Sequence, residues 1–357
     1  MIEDVLVVEG VAHDYNFLPE NCVDPVLGRA IGEHMYGLNK KWGGPGYGVE
    51  RSVYLDHGAG PQILGQAILA ESQSDIVVYH GTPIYGLFRD GGSPLSTGLA
   101  MRELWPNRVL VYGDVAPLRP GAVDRVDELV DVYQVNALKL YPQDVVDGRI
   151  TPLDMSDPEV CFPVFERARQ RGIKVVGIHK ALPLGPGPGS ALRIDDIEGA
   201  AAAFPDLIFE VVHGGLAFVE ETAFLMDTAP NVVVNLEATA SLAKVAPRRF
   251  AEAMGAFLAT HDGAHRIIWG TGCMAAHPRP LIEAFWNLET PRDLIEEYGV
   301  EPLTKEAKKA ILGSNFLRMH GIDEGELRAR IAGDEFDTTE LAAPWGGRVE
   351  AEPLAVA

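Results

Sequence analysis

The feature that most constrains the fold is a recurring pattern of eight short apolar runs, rich in β-branched residues, with helical stretches between several of them. The runs are VLVVEG (5–10), DIVVYHG (75–81), RVLVYGDV (108–115) and VNALKLYP (135–142), then IKVVGIHK (173–180), LIFEVVHGG (207–215), NVVVNLEA (231–238) and RIIWGTG (266–272). Continuous apolar strands need cover on both faces, which a parallel sheet wrapped by helices provides. Helices are expected over 158–172, 193–204 and 247–261. Eight such units predict an α/β fold of the (β/α)8 TIM-like barrel type. A doubly wound open sheet is the competitor, but no glycine-rich phosphate loop follows the first run.

Two segments break the alternation. Residues 14–74 are too long for an ordinary connection and carry YNFLPEN and KKWGGPGYG, rich in Gly, Pro and aromatics. They are expected to be an insertion after the first strand that lies over the barrel mouth. The barrel proper is assigned to 1–332, and 333–357 to a C-terminal tail that wraps a neighbouring subunit or is loosely ordered.

The formal charge of −21 opposes polyanionic partners, so neither nucleic acid nor an anionic membrane is expected. A small-molecule substrate and a homo-oligomer, most simply a dimer, are expected instead. A local basic patch, Lys40, Lys41 and Arg51, reads either as a solvated loop or as a phosphate contact. No apolar run approaches the roughly 18 residues of a membrane span, and MIEDVLVV has no basic flank. Cys22, Cys161 and Cys273 are too few and scattered for a disulfide framework. A cytoplasmic location is expected.

Barrels of this kind carry their chemistry at the C-terminal strand ends. The first strand ends with Glu9 and His13, the second ends at His80, the fourth holds Lys139, and the fifth, sixth and seventh end near His179, His213 and Glu237. One histidine at a strand end is usually a hydrogen-bonded structural residue. Four imidazoles and two carboxylates aimed at one rim form a donor set suited to Zn(II), Fe(II) or Mn(II), with no thiolate cluster beside them.

Four stretches resemble the amidohydrolase superfamily, in the amidohydrolase-2 branch that includes aminocarboxymuconate-semialdehyde decarboxylase and resorcylate-type decarboxylases. They are ALKLYP (137–142), VVHGG (211–215), NVVVNLEATAS (231–241) and AILGSNFLRMHGI (310–322). The family opens with Asp-x-His-x-His or a variant beginning with Glu; EGVAH keeps Glu9 and His13 but has Val11 between them. His179 and His213 match the family's fifth- and sixth-strand positions. WGTGCMAAHP puts Gly272 where the family has an Asp that is both ligand and proton shuttle. Glu237, His80, Cys273, His277 and Tyr79 are the candidates to replace it.

The resemblance implies one or two divalent ions (Fe, Zn or Mn) held by Glu9, His13, His179 and His213, with Glu237 as ligand or proton acceptor. His80, Lys139 and Glu237 are the implied catalytic groups. Lys139 reads either as a carbamylated bridge between two ions or as a cation beside a substrate carboxylate. The implied activity is metal-dependent hydrolysis of a carboxyl derivative, an ester or an acyl thioester such as an acyl-CoA. A thiolate leaves without strong acid catalysis, which suits the loss of the Asp, and a dimetal acyl-CoA thioesterase is the specific expectation. Non-oxidative decarboxylation of an aromatic or unsaturated acid is one alternative, and a non-catalytic binding protein on a degraded barrel is another.

Overall fold

A computed structural model describes residues 2–350. All eight apolar runs become parallel strands: β1 (Val8–Ala12), β2 (Ile76–His80), β3 (Val109–Asp114), β4 (Ala137–Leu140), then, after a hairpin of β5 (Gln143–Val146) and β6 (Arg149–Pro152), β7 (Val175–His179), β8 (Ile208–Val212), β9 (Val232–Asn235) and β10 (Ile267–Ile268). The sheet order is β1-β2-β3-β4-β7-β8-β9-β10. Backbone hydrogen bonds from Gly10 N to Trp269 O (3.2 Å), Gly272 N to Val11 O (3.1 Å) and His13 N to Cys273 O (2.6 Å) join the last strand to the first. The sheet therefore closes, and the molecule is a TIM barrel.

The expected helices appear as Phe162–Gln170, Asp196–Ala203 and Pro247–Leu258. The hairpin between the fourth and fifth barrel strands was not anticipated. Its signal was present in the sequence: Asp147 and Gly148 form the turn with φ of 50° and 72°, the conformation that Asp-Gly supplies in a two-residue hairpin.

The floor of the barrel is sealed by two helices near the C-terminal end of the described chain. Phe316, Leu317, Leu327 and Ile331, from helices Asn315–His320 and Glu324–Ile331, pack against Leu6, Val8 and the starts of the other strands. Each such side chain, fully buried, contributes ~1.5–3 kcal/mol. Gly313 is required here, because a Cβ would lie 1.9 Å from Leu6 O.

Residues 14–74 hold a long helix, Pro25–Gly43, and a second, Gly60–Leu69. Asp24 caps the first by accepting from Val26 N and Leu27 N, with Pro25 at its first position, where the missing N–H costs nothing. Asn39 Nδ2 donates to Met274 O (2.8 Å), which ties this helix to the loop after β10.

The described part of the tail, 333–350, folds back onto its own chain, so this part is not a loose segment; residues 351–357 lie outside the described residues. Trp345 is fully buried with its ring 5.2 Å from that of His277. The buried Glu71 carboxylate accepts from Trp345 N (2.5 Å), Gly346 N (2.8 Å) and His277 Nε2 (3.1 Å). Among the described residues, no helix is long and apolar enough to cross a membrane.

Candidate active site at the C-terminal end of the barrel

Glu9, His13, His80, Lys139, His179, His213 and Glu237 are all buried; five of them lie at or just beyond a strand end, while Glu9 and Lys139 lie within β1 and β4. The Lys139 charge acts on all four imidazoles and on Glu237, so the topology gathers these groups around one centre.

Glu9 is held by the last strand. Its carboxylate accepts from Thr271 N (2.6 Å) and Thr271 Oγ1 (2.8 Å). Burial pushes its pKa up to about 7, with those bonds acting in the opposite direction. His13 donates from Nδ1 to His80 O (2.9 Å). A carbonyl only accepts, so Nδ1 carries the proton and Nε2 keeps the lone pair. Burial lowers the pKa of His13 to about 3, so the ring is neutral at physiological pH.

His80 stacks on Tyr112 at 4.2 Å between ring centroids, and both of its ring nitrogens lack hydrogen-bond partners. The Lys139 amine also lacks a partner and lies 5.6 Å from the Tyr141 ring centroid. Burial lowers its pKa to about 8, against the pull of Glu210 and Glu237.

A chain of tautomers fixes the far side of the site. His179 Nε2 meets Leu182 O (2.5 Å) and must donate to it. Its Nδ1 therefore accepts from His213 Nε2 (2.7 Å). That leaves the lone pair of His213 on Nδ1, which abuts Glu237 Oε2. The two atoms touch without hydrogen-bond alignment, and neither has another partner. Burial holds His213 well below its usual pKa and pushes Glu237 up to about 7. An imidazole lone pair facing a carboxylate oxygen is stable only with a proton or a cation between them.

Below this rim lies a polar layer that sequence reasoning passed over. Asn235 Nδ2 donates to Glu210 Oε1 (2.6 Å), and Asn235 Oδ1 accepts from Glu237 N (2.9 Å). Tyr112 donates to Glu210 Oε2 (3.0 Å) and accepts from His320 Nε2 (2.7 Å). The available signals were a carboxylate in the middle of IFEVV and an amide in VVVNLE, polar groups that a barrel core excludes unless they are paired. Thr271, the clamp on Glu9, was likewise unread in WGTG.

Other candidates are engaged elsewhere. Tyr79 OH bonds Ser93 Oγ (2.7 Å) and Pro94 O (2.8 Å). His277 is held by Glu71. Burial raises the Cys273 thiol well above its usual pKa, which suppresses the thiolate. In the basic patch, Arg51 pairs with Glu33, and Lys40 lies 5.6 Å from the Tyr36 ring centroid.

Among the described residues, no three His, Cys, Asp or Glu side chains converge as ligands of one ion. Several are engaged elsewhere instead, Glu9 by Thr271, His13 by His80 O, and His179 by Leu182 O and His213. The donor set nevertheless fits a divalent cation. His80, His213 and Glu237 present buried nitrogen or oxygen atoms without partners, His13 keeps a free lone pair, and the imidazoles are neutral, as ligands must be.

Fold and site together define a closed (β/α)8 barrel with a buried imidazole, carboxylate and amine cluster at its C-terminal rim. The amidohydrolase family model matches residues 99–322, more than half of the chain. The chain belongs to the amidohydrolase family. No curated protein matches it in sequence.

Among solved structures, an uncharacterised TIM-barrel protein of Bordetella bronchiseptica aligns with a TM-score of 0.62 at 17% identity, over 89% of this chain and 100% of that one. A 2,6-dihydroxybenzoate decarboxylase from Rhizobium aligns at 0.57 and 14%, over 89% and 99%. A 5-carboxyvanillate decarboxylase from Novosphingobium aromaticivorans, solved with bound manganese, aligns at 0.54 and 12%, over 90% and 98%. At these identities the likeness is one of fold.

Proposed function

We propose that this amidohydrolase is a metal-dependent hydrolase of carboxyl derivatives, with an acyl thioester as the favoured substrate and an ester as the near alternative. One observation carries the reading: the buried nitrogen and oxygen atoms of His80, His213 and Glu237 that have no partner, among neutral imidazoles, a donor set that a divalent cation would satisfy. Glu9, His13, His179, His213 and Glu237 are the proposed holders of one or two divalent ions. Of these, His13, His213 and Glu237 have the atoms freest to turn toward it. Both nitrogens of His179 are engaged, so in this arrangement it orients His213.

A bound divalent ion supplies Lewis acidity for the carbonyl and lowers the pKa of water to near neutrality. The chain's own residues do the rest. Glu237 would take a proton from the attacking water on Oε1, the oxygen beside Gly272, leaving Oε2, which faces His213 Nδ1, for the ion. Lys139, unpartnered and with its pKa lowered by burial to about 8, steadies negative charge developing on the substrate oxygen while it holds its proton. The burial of the cluster excludes bulk water and strengthens both effects. A thiolate leaving group needs no proton donor on residue 272.

A second reading, decarboxylation of an unsaturated or aromatic acid, is favoured by the same Lys139 amine, which would hold the substrate carboxylate. The test is metal content by mass spectrometry on chelator-free protein, followed by thiol release from a panel of acyl-CoA esters. One or two equivalents of metal with thiol release is the expected result. Metal with carbon dioxide release from aromatic acids and no thiol would move the assignment to the second reading. Protein that holds no metal and gains none on reconstitution would end both.

A further inference from the structure

Residue 272 is a glycine with φ of 71°, and the space beside its Cα is already filled. A Cβ there would lie 1.9 Å from Glu237 Oε1, 2.7 Å from Cδ and 3.0 Å from Cγ. The overlap involves the body of the Glu237 side chain and not only its tip. Glu237 is 1% exposed and has no solvent into which it could swing. Gly272 is itself fixed by its N–H to Val11 O (3.1 Å), so the backbone cannot easily retreat.

On the other side of the same strand segment, Thr271 grips Glu9. The last strand thus brings no carboxylate to the site. It is flanked by one from the first strand and one from the seventh. We infer that Glu237 supplies, from the seventh strand, the site carboxylate in the volume that a side chain on residue 272 would occupy. The two positions exclude each other: a side chain on residue 272 and Glu237 in its present place cannot both be accommodated.

The inference rests on the metal-dependent reading of the site. It predicts a swap phenotype that neither single change shows. Four proteins are compared, the wild type, Glu237→Ala, Gly272→Asp and the double variant, each purified without chelator. Manganese, zinc or ferrous ion is titrated by calorimetry, and thermal unfolding is recorded. Asp is chosen because, after glycine, it is among the residues that best tolerate a positive φ.

Glu237→Ala should weaken ion binding at least about tenfold, the lower end of what the loss of an orienting partner alone costs. Gly272→Asp should melt well below the wild type or fail to fold. The double variant should fold, melt below Glu237→Ala only by the strain of a non-glycine residue at this φ, and regain most of the lost affinity. Where Gly272→Asp yields no soluble protein, Gly272→Ala provides the same steric comparison.

The assignment is overturned by a Glu237→Ala protein that binds the ion like the wild type. It is equally overturned by a Gly272→Ala protein as stable as the wild type, or by a folded double variant that recovers no affinity. A wild type that binds none of the three ions refutes the metal-dependent reading itself, which distinguishes that failure from this one.

Discussion

The substitution Glu9→Gln isolates the cost of a single buried charge. The Glu9 carboxylate accepts from Thr271 N and Thr271 Oγ1. A glutamine in the same place keeps both contacts, with its oxygen accepting from the amide and its NH2 donating to the hydroxyl. Only the charge is lost. In the metal-free protein, burial raises this carboxyl from 4.5 to about 7. The folded state therefore binds a proton that the unfolded chain gives up between those values, and stability falls as pH rises through that window.

Below about pH 4.5 both states are protonated, and wild type and variant should be equally stable. Above about pH 7 the wild type carries an ionised, desolvated carboxylate, and the variant should be more stable by ~3 kcal/mol, at about 1.4 kcal/mol for each tenfold change. The assay is urea unfolding of the chelated proteins at pH 5 and pH 8.5. A variant that is no more stable at pH 8.5, or an advantage that does not change with pH, would refute the argument that burial dominates at this site.

Two further predictions concern structure around the site. Tyr112→Phe removes a hydroxyl that both donates to Glu210 and accepts from His320, which leaves the fully buried Glu210 Oε2 unmet at ~1–3 kcal/mol and the half-buried His320 Nε2 at less; a loss under about 0.5 kcal/mol in urea unfolding would show that the layer is hydrated or repacks. Trp345→Ala empties a fully buried position and removes the donor to Tyr47 O. It should cost ~3–5 kcal/mol and lower Tm by on the order of 10 °C, whereas an unchanged melt would mean that the tail contributes nothing to the barrel's stability.

The sequence by itself determined the barrel. The eight runs are apolar on both faces because each lies between the core and the helices, and that requirement is local enough to read one strand at a time. It also nominated the residues at the rim, because chain position within a strand decides which side chains reach the C-terminal end. The Asp147–Gly148 hairpin was equally legible and was missed only because its strands are short and the second is largely exposed.

Pairing was decided by the tertiary structure alone. No spacing could say that Thr271 would clamp Glu9, since these residues are 262 positions apart. Nor could it show that Tyr112, Glu210, Asn235 and His320 form one layer, because that depends on four elements closing into a ring. The vacancy at Gly272 reads in sequence as a lost carboxylate. In the folded chain it is filled from the neighbouring strand by Glu237. Which donor meets which acceptor in a buried site is set by the closure of the whole barrel, and closure is a property that no single segment of the chain possesses.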